Sequence, residues 1–384
     1  MQLRVFYTWS QVESQGMYDA GFGAEVKWDV PLLEGYEHRF VANVAARPGV
    51  EHFAGLKTPS LVSEITAWEA DAVLVYTWNS WSHLQALRGL HGRVPVLFRG
   101  DSTLLDARPW WRAQLRRLFL TWVYRHVDVA IAVGTANRRY FEWCGVPPEH
   151  IALAPHTVDV GRFAADAARH EARAADWRQQ LGIAADDGVI LFAGKLQSKK
   201  NPRLLLDAFA RLPPPASPHS HVHLVFVGNG ELEAQLKAAA RGVPRVHFLP
   251  FQNQSAMPAV YRLGDVFVLP SQGPGETWGL AVNEALASGR PIIASDKAGG
   301  AIDLIRQGVN GWMFESGNAD DLERILRAAM DLTPVGLRAM GVSAQQLSAS
   351  WSSEESARRI CKVFLECLPE CTPTKSSRKQ KLVQ

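Results

Sequence analysis

Short apolar runs alternate along the whole chain with longer stretches in which apolar residues recur every three or four positions, the pattern of strands separated by helices. In the first half the runs fall at 3–7, 72–76, 94–98, 129–133 and 151–154, with a further strand candidate at 37–41. In the second they fall at 189–193, 223–227, 246–248, 266–269 and 291–294. Mostly apolar runs with helices between them predict an α/β fold of parallel sheets and crossover connections, here built twice. Segment 162–180 is rich in Ala and charge and reads as the bridge, which sets a boundary near 165 and two domains, 1–165 and 166–350. The amphipathic run 353–368 predicts a terminal helix, within a segment 351–368 that returns to the first domain. The remainder, 369–384, carries Pro373, Ser376, Ser377, Arg378, Lys379 and Lys381 and predicts a disordered basic tail.

Length supports this division, since 384 residues with 47% apolar content can fill two cores. A net charge of +3 is too small to point to nucleic acid, and no aromatic-interleaved basic module occurs. The cysteines Cys144, Cys361, Cys367 and Cys371 lack zinc-ligand spacing and suggest no disulfide framework. The start has no signal-peptide apolar region, and no run approaches the eighteen or so residues of a spanning helix, so the expected location is cytoplasmic.

The densest chemistry follows the apolar run 266–269. Glu276 stands in a Pro/Gly-rich loop, and Glu284 stands eight residues later in a helix opened by Gly279 and Leu280 and closed before Gly289 and Pro291. A loop after a parallel strand lies where α/β sheets bind ligands, and the helix start offers free N–H groups to an anion. Two acids so placed are suited to hydroxyls at opposite ends of an extended phosphate-bearing ligand; either alone reads equally as a solvated acid. Lys195 and Lys200 follow the run 189–193 in the loop Gly194-Lys195-Leu196-Gln197-Ser198-Lys199-Lys200-Asn201-Pro202 and can neutralise a diphosphate. Gly228-Asn229-Gly230 forms a strand-to-helix turn that is incomplete as a dinucleotide fingerprint.

Residues 276–291 resemble the Glu-x7-Glu signature of the family 4 retaining glycosyltransferases that build bacterial polysaccharides and glycolipids, with Trp278 where that family usually has Phe. Lys195 and Lys200 match its phosphate loop, with Asn201 in place of a glycine. Gly228 and Gly230 match its Gly-x-Gly turn, Phe251 follows the strand where the base is clasped, and 155–163 resembles its entry to the second domain, making His156 structural. The resemblance covers most of 129–320 and implies a GT-B fold of two Rossmann-like domains facing a cleft. It implies transfer of a sugar, with retention and without a metal or other cofactor, from a nucleotide-sugar to a glycan, lipid-linked or small-molecule acceptor. Glu276, Lys200 and Lys195 would act on sugar and phosphate, Glu284 on the ribose, and Gly279, Leu280, Thr277 and Trp278 would complete the donor site. Gly21, Phe22 and Gly23 occupy the place of the family's first glycine loop.

In the first half, aligning Pro95 and Val96 with relatives puts Asp101 where many carry a sugar-contacting His; an Asx turn or a helix N-cap before Leu104 explains it as well. Trp78 and Trp81 fit an acceptor platform or core packing. The segment 108–125 interleaves Arg with Trp and suits an anionic membrane surface, while a helix with its Leu and Phe face buried accounts for the same composition. Rival readings are a nucleotide-sugar epimerase or a phosphorylase, a non-catalytic scaffold of a polysaccharide assembly complex, and an NAD-dependent dehydrogenase.

Overall fold

The computed structural model describes residues 2–9, 17–19, 21–22, 24–107, 109–213, 221–368 and 381–383. In chain order the strands are β1 (Gln2–Tyr7), β2 (Met17–Asp19), β3 (Ala24–Val26), β4 (Glu37–Phe40), β5 (Ala72–Tyr76), β6 (Val96–Arg99), β7 (Val129–Ala132), β8 (Ile151–Leu153), β9 (Gly188–Ala193), β10 (Val222–Val227), β11 (Val246–Leu249), β12 (Val266–Leu269), β13 (Ile292–Ser295), β14 (Gly311–Phe314) and β15 (Lys381–Val383). The helices are α1 (Leu61–Ala67), α2 (Trp81–Leu90), α3 (Trp110–Tyr124), α4 (Thr135–Trp143), α5 (Val160–Ala164), α6 (Ala167–Gln180), α7 (Pro202–Ala210), α8 (Glu233–Ala240), α9 (Met257–Leu263), α10 (Leu280–Ala287), α11 (Ala301–Leu304), α12 (Ala319–Met330), α13 (Pro334–Ser348) and α14 (Ser353–Cys367).

The chain divides into two compact units. Unit 1 comprises Met1–Met17, Pro31–Pro155 and Ser356–Gln384, and unit 2 comprises Tyr18–Val30 and His156–Glu355. The change of unit thus comes at 155/156 rather than near 165. Segment 162–180 is no bridge: it forms α5 and α6, which pack in unit 2 with Ala174 buried and Arg178 paired with Asp265 at 3.0 Å. Alternating Ala and charge here marks a half-buried helix, whose exposed face reads as a linker.

Unit 2 is built on a parallel sheet in the order β11-β10-β9-β12-β13-β14. Every residue of β9 and β10 is buried, as expected of strands covered by helices on both faces. Covering helices start where the sequence provides caps: Asn318 accepts from the Asp321 N–H at 3.0 Å, and Leu322, Ile325, Leu326 and Ala329 of α12 then face the core. The strand order reverses between β9 and β12, the topological switch point at whose carboxyl ends ligands bind. Of the short pair β2–β3, all but Met17 belongs to this unit.

Unit 1 has the parallel order β4-β1-β15-β5-β6-β7-β8. Here the sequence expectation of a wholly disordered tail fails. Leu382 pairs with Leu3 on one side and Ala72 on the other, so Lys381–Val383 is an inner strand. A three-residue segment gives no periodicity to read, and pairing along both edges is what holds it; residues 369–380, with Cys371, and Gln384 lie outside the described residues. Helix α14 packs on the back of this sheet through Val363 and Phe364, against Ala72, Leu74, Leu97, Ile131 and Ala154. Phe364→Ala should therefore destabilise unit 1 by about 3–5 kcal/mol in urea unfolding followed by tryptophan fluorescence, and an unchanged midpoint would show that α14 carries no core contact.

Candidate active site

The two loops that leave β9 and β12 meet at the switch point of unit 2. The Gln272 N–H donates to the Lys199 carbonyl and its side-chain amide to the Ser198 carbonyl, each at 2.9 Å, so the loops are stitched together. Lys200 Nζ lies 2.6 Å from Glu276 Oε2, and Ser271 Oγ donates to the same oxygen at 3.1 Å. Glu276 is only 8% exposed, so this pair of charges is largely withdrawn from water. Asn201, after Lys200, has φ +48° and ψ +47°, the left-handed conformation that Asn tolerates better than other non-glycine residues. That conformation turns the chain directly into Pro202 at the start of α7.

Gly279 caps α10, and Glu284 sits one turn inside the helix. Tyr261, itself buried, donates its hydroxyl to Glu284 Oε2 at 2.6 Å. Burial pushes the Glu284 carboxyl above its ordinary value, while the Tyr261 hydroxyl and the charges of Arg162 and Lys200 act in the opposite direction. Trp278 is buried between His156 and Trp351, with ring centroids 5.7 and 5.5 Å away. Its indole N–H donates to Asn283 Oδ1 at 2.7 Å, and the Asn283 amide donates to the His156 carbonyl at 3.0 Å. A buried Trp thus has the partner its N–H requires, and its ring belongs to the packing beneath the loop.

Gly228 and Gly230 let the β10–α8 loop press on the β9 loop: a Cβ at Gly228 would come within 2.1 Å of the Gly194 carbonyl oxygen, and one at Gly230 within 2.5 Å of that of Leu196. The Phe251 N–H donates to Asn229 Oδ1 at 2.6 Å, which ties the β11 loop to the same arrangement. Lys195 is turned to Asp19 of the β2–β3 segment, with Nζ 2.7 and 2.8 Å from its two carboxylate oxygens. Among the described residues no three His, Cys, Asp or Glu side chains are grouped to hold a metal ion.

Residues 174–340 match the model of the glycosyl transferases group 1, and residues 25–162 match that of glycosyltransferase family 4. Both models are of glycosyltransferases, and between them they cover most of the chain. The D-inositol 3-phosphate glycosyltransferase of Geodermatophilus obscurus is 33% identical over 202 residues, 50% of this chain and 43% of the relative. The sulfoquinovosyl transferase SQD2 of Arabidopsis thaliana is 32% identical over 160 residues, 40% of this chain and 29% of that protein. The chain spans about half the length of the inositol-phosphate relatives it matches. Among solved structures, Anabaena HepE in complex with UDP aligns with a TM-score of 0.67 at 22% identity over 86% of each chain. Sucrose-phosphate synthase from Thermosynechococcus elongatus aligns at 0.62 and 19% identity, over 80% of this chain and 77% of that one. The fold is that of the GT-B glycosyltransferases.

Within unit 2, Lys200, Glu276, Thr277, Gly279, Leu280 and Glu284 fall on two joined loops and one helix, and Lys195 lies on the first of those loops. Gly23 lies outside the described residues. Asp101 belongs to unit 1, in the loop after β6, and its N-cap reading fails because the next helix starts only at Trp110. Trp78 packs against the unit 1 core and edge-on to Phe119 at 5.3 Å, on the packing side of the two readings. Of the two readings of 108–125, burial of the Leu and Phe face holds only in part: Leu115, Leu118 and Phe119 are exposed with Trp110, Trp111 and Trp122, while Leu120, Val123 and Tyr124 are buried. Helix α3 is apolar on both faces, so the pattern alone did not say which one packs. Sequence reasoning missed Tyr261, Ser271 and Asp19 as partners of the site, since each is distant in the chain or lies in an ordinary turn.

Unit 1 contains a cavity of about 530 Å³ lined by both β1 and β5. Its walls include Val5, Phe6, Ile65, Leu74 and Val75, with Tyr7, Tyr36, Tyr76 and His83 among its polar groups. Burial pushes the His83 imidazole down to about 4, so it is neutral at pH 7.

Proposed function

We propose that the chain is a retaining, metal-independent glycosyltransferase that moves a sugar from a nucleotide-sugar donor to a lipid-linked acceptor. The observation that carries this reading is the meeting of Lys200 and Glu276 across the switch point of unit 2, with Glu284 on the helix that begins beside them. In this reading Lys195, Lys200 and the N–H groups at the start of α10 carry the diphosphate charge that grows as the anomeric bond breaks. Glu276 accepts hydrogen bonds from the transferred sugar, and Glu284 accepts them from the ribose. The anomeric carbon–oxygen bond to the diphosphate breaks and a bond to the acceptor oxygen forms on the same face. The acceptor proton passes to the departing phosphate, which requires no side-chain base.

Two features of unit 1 support a lipid-linked acceptor handled at a membrane surface. The cavity lined by β1 and β5 is mostly apolar and has the size of a small-ligand pocket. Helix α3 exposes Trp110, Trp111, Leu115, Leu118 and Phe119 beside the exposed Arg112 and Arg117, an apolar surface with basic flanks that suits anionic lipid. Peripheral attachment at the inner face of a membrane follows from this reading; among the described residues no helix is long and apolar enough to cross one.

The function is tested at Glu284. Across a panel of nucleotide-sugars, the donor that raises the melting temperature most is compared with its 2′-deoxy analogue, on wild type and on Glu284→Gln. The analogue should bind the wild type more weakly by about 1–3 kcal/mol, and the variant should lose that discrimination. Because burial favours the protonated acid and the ribose hydroxyls need the carboxylate, wild-type donor affinity should fall as pH drops through the raised Glu284 pKa, with no such step in the variant. Zero coupling between the two changes would remove the ribose role. For membrane docking, Trp110→Ser with Leu118→Ser should reduce cosedimentation with phosphatidylglycerol vesicles several-fold at any salt, and Arg112→Glu with Arg117→Glu should remove its salt-sensitive part. Equal sedimentation of all three proteins would leave α3 without a lipid role.

A further inference from the structure

Both lysines that face the diphosphate in the reading above are paired with carboxylates of the chain itself, and the two pairs are not alike. Glu276 is anchored on the β12 loop by Ser271 and has a part to play on the sugar. Asp19 comes from the segment 18–30, which packs in unit 2 although the chain on either side of it packs in unit 1. Asp19 Oδ1 accepts from the Gly21 N–H at 2.8 Å, from the Phe22 N–H at 3.2 Å and from Lys195 Nζ at 2.7 Å. Its Oδ2 lies 2.8 Å from the same Nζ.

Two successive backbone N–H groups and an ammonium converging on one oxygen form the donor set that a phosphoryl oxygen uses. Partial burial pushes the Asp19 carboxyl up, but the Lys195 ammonium and the two amides outweigh it and hold the group below its ordinary value. The carboxylate is therefore charged at any working pH. The segment is seated by more than this pair. The Phe22 ring meets Phe251 edge-on at 4.5 Å, and Lys195 Nζ stands 4.9 Å from the Phe22 centroid. Asn253 donates to the Lys27 carbonyl at 2.6 Å, and the Ser255 N–H to Asp29 at 3.0 Å.

We propose that Asp19 is an internal anion that guards Lys195, so that a nucleoside diphosphate enters by displacing this carboxylate and taking over its donors. The inference rests on the donor-site reading of Lys195. Two consequences follow from the charge exchange. The apparent affinity for diphosphates is lowered by the cost of moving Asp19, because only the displaced state is competent. An uncharged nucleoside, which has nothing to offer Lys195, gains nothing from that displacement. Asp19 would thus set how strongly the site answers to charge in its ligand, a role separate from contact with the base or sugar.

The test is calorimetric titration of wild type and Asp19→Asn with UDP, GDP and ADP and with uridine, guanosine and adenosine. Asn keeps the size of the side chain and an acceptor for the Gly21 and Phe22 amides, and removes the charge. The nucleoside diphosphate that binds wild type should bind Asp19→Asn roughly three- to tenfold more tightly, with its nucleoside unchanged. Adding Lys195→Gln should abolish the gain, since the guarded cation is gone. Diphosphate affinity unchanged or weakened in Asp19→Asn, as expected of a residue that only shapes its loop, would overturn the proposal and leave the donor site standing. Binding of no diphosphate by either protein, with both shown folded by their melting transitions, would overturn the donor-site reading and this proposal together.

Discussion

The ion pair between Lys200 and Glu276 is the contact on which the arrangement of the site depends. It joins the ends of two strands that are adjacent only because the sheet of unit 2 reverses its order between β9 and β12. Removing one member of so sheltered a pair leaves a charge with little water to solvate it, at a cost of several kcal/mol. The pair therefore holds the loops in register, while the contacts of Gln272 with Lys199 and Ser198 and the close approach of Gly228 to Gly194 hold the loops themselves. A site whose main charges are already placed needs little reorganisation when charge develops on a ligand, which is the source of most electrostatic rate enhancement.

Around this pair the polar groups are graded in their environment. Glu284 is held by Tyr261 and raised by burial, whereas Asp19 is held low by Lys195 and two amides. These different partners set the acids apart: one is held by a neutral hydroxyl, one by a cation. Beneath them, Trp278 and Asn283 form a buried hydrogen-bonded pair that reaches the backbone of His156, so the substitution of Trp for the family's usual Phe is matched by a partner for the extra N–H.

Much of this was legible in the sequence because parallel strands announce themselves as apolar runs and because the chemical residues follow those runs directly. Lys195, Lys200 and Glu276 lie in loops directly after such strands and Glu284 on the helix that follows, where open α/β sheets place ligands. What escaped was set by distance or by symmetry of pattern. Asp19 is 176 residues from Lys195, and nothing local distinguishes it from any turn aspartate. Tyr261 is a buried core aromatic, and nothing in its own segment sets it apart from one. The strand β15 is too short to show a period, and the two apolar faces of α3 gave no sign of which would pack. The boundary at 155/156 was displaced because an alanine-rich helix with charged residues resembles a linker until its partners Asp265, Arg262 and Arg290 are known.

The central claim is that Lys200 acts on the diphosphate as well as holding Glu276, and Lys200→Gln addresses it most directly. Its donor affinity and single-turnover rate are to be measured with the nucleotide-sugar that stabilises the wild type most, alongside its melting transition. A cation that meets growing charge on the leaving group predicts a fall in rate of roughly a hundredfold or more, larger than the fall in donor affinity, in a protein that remains folded. A folded Lys200→Gln protein with wild-type rate and affinity would contradict the account.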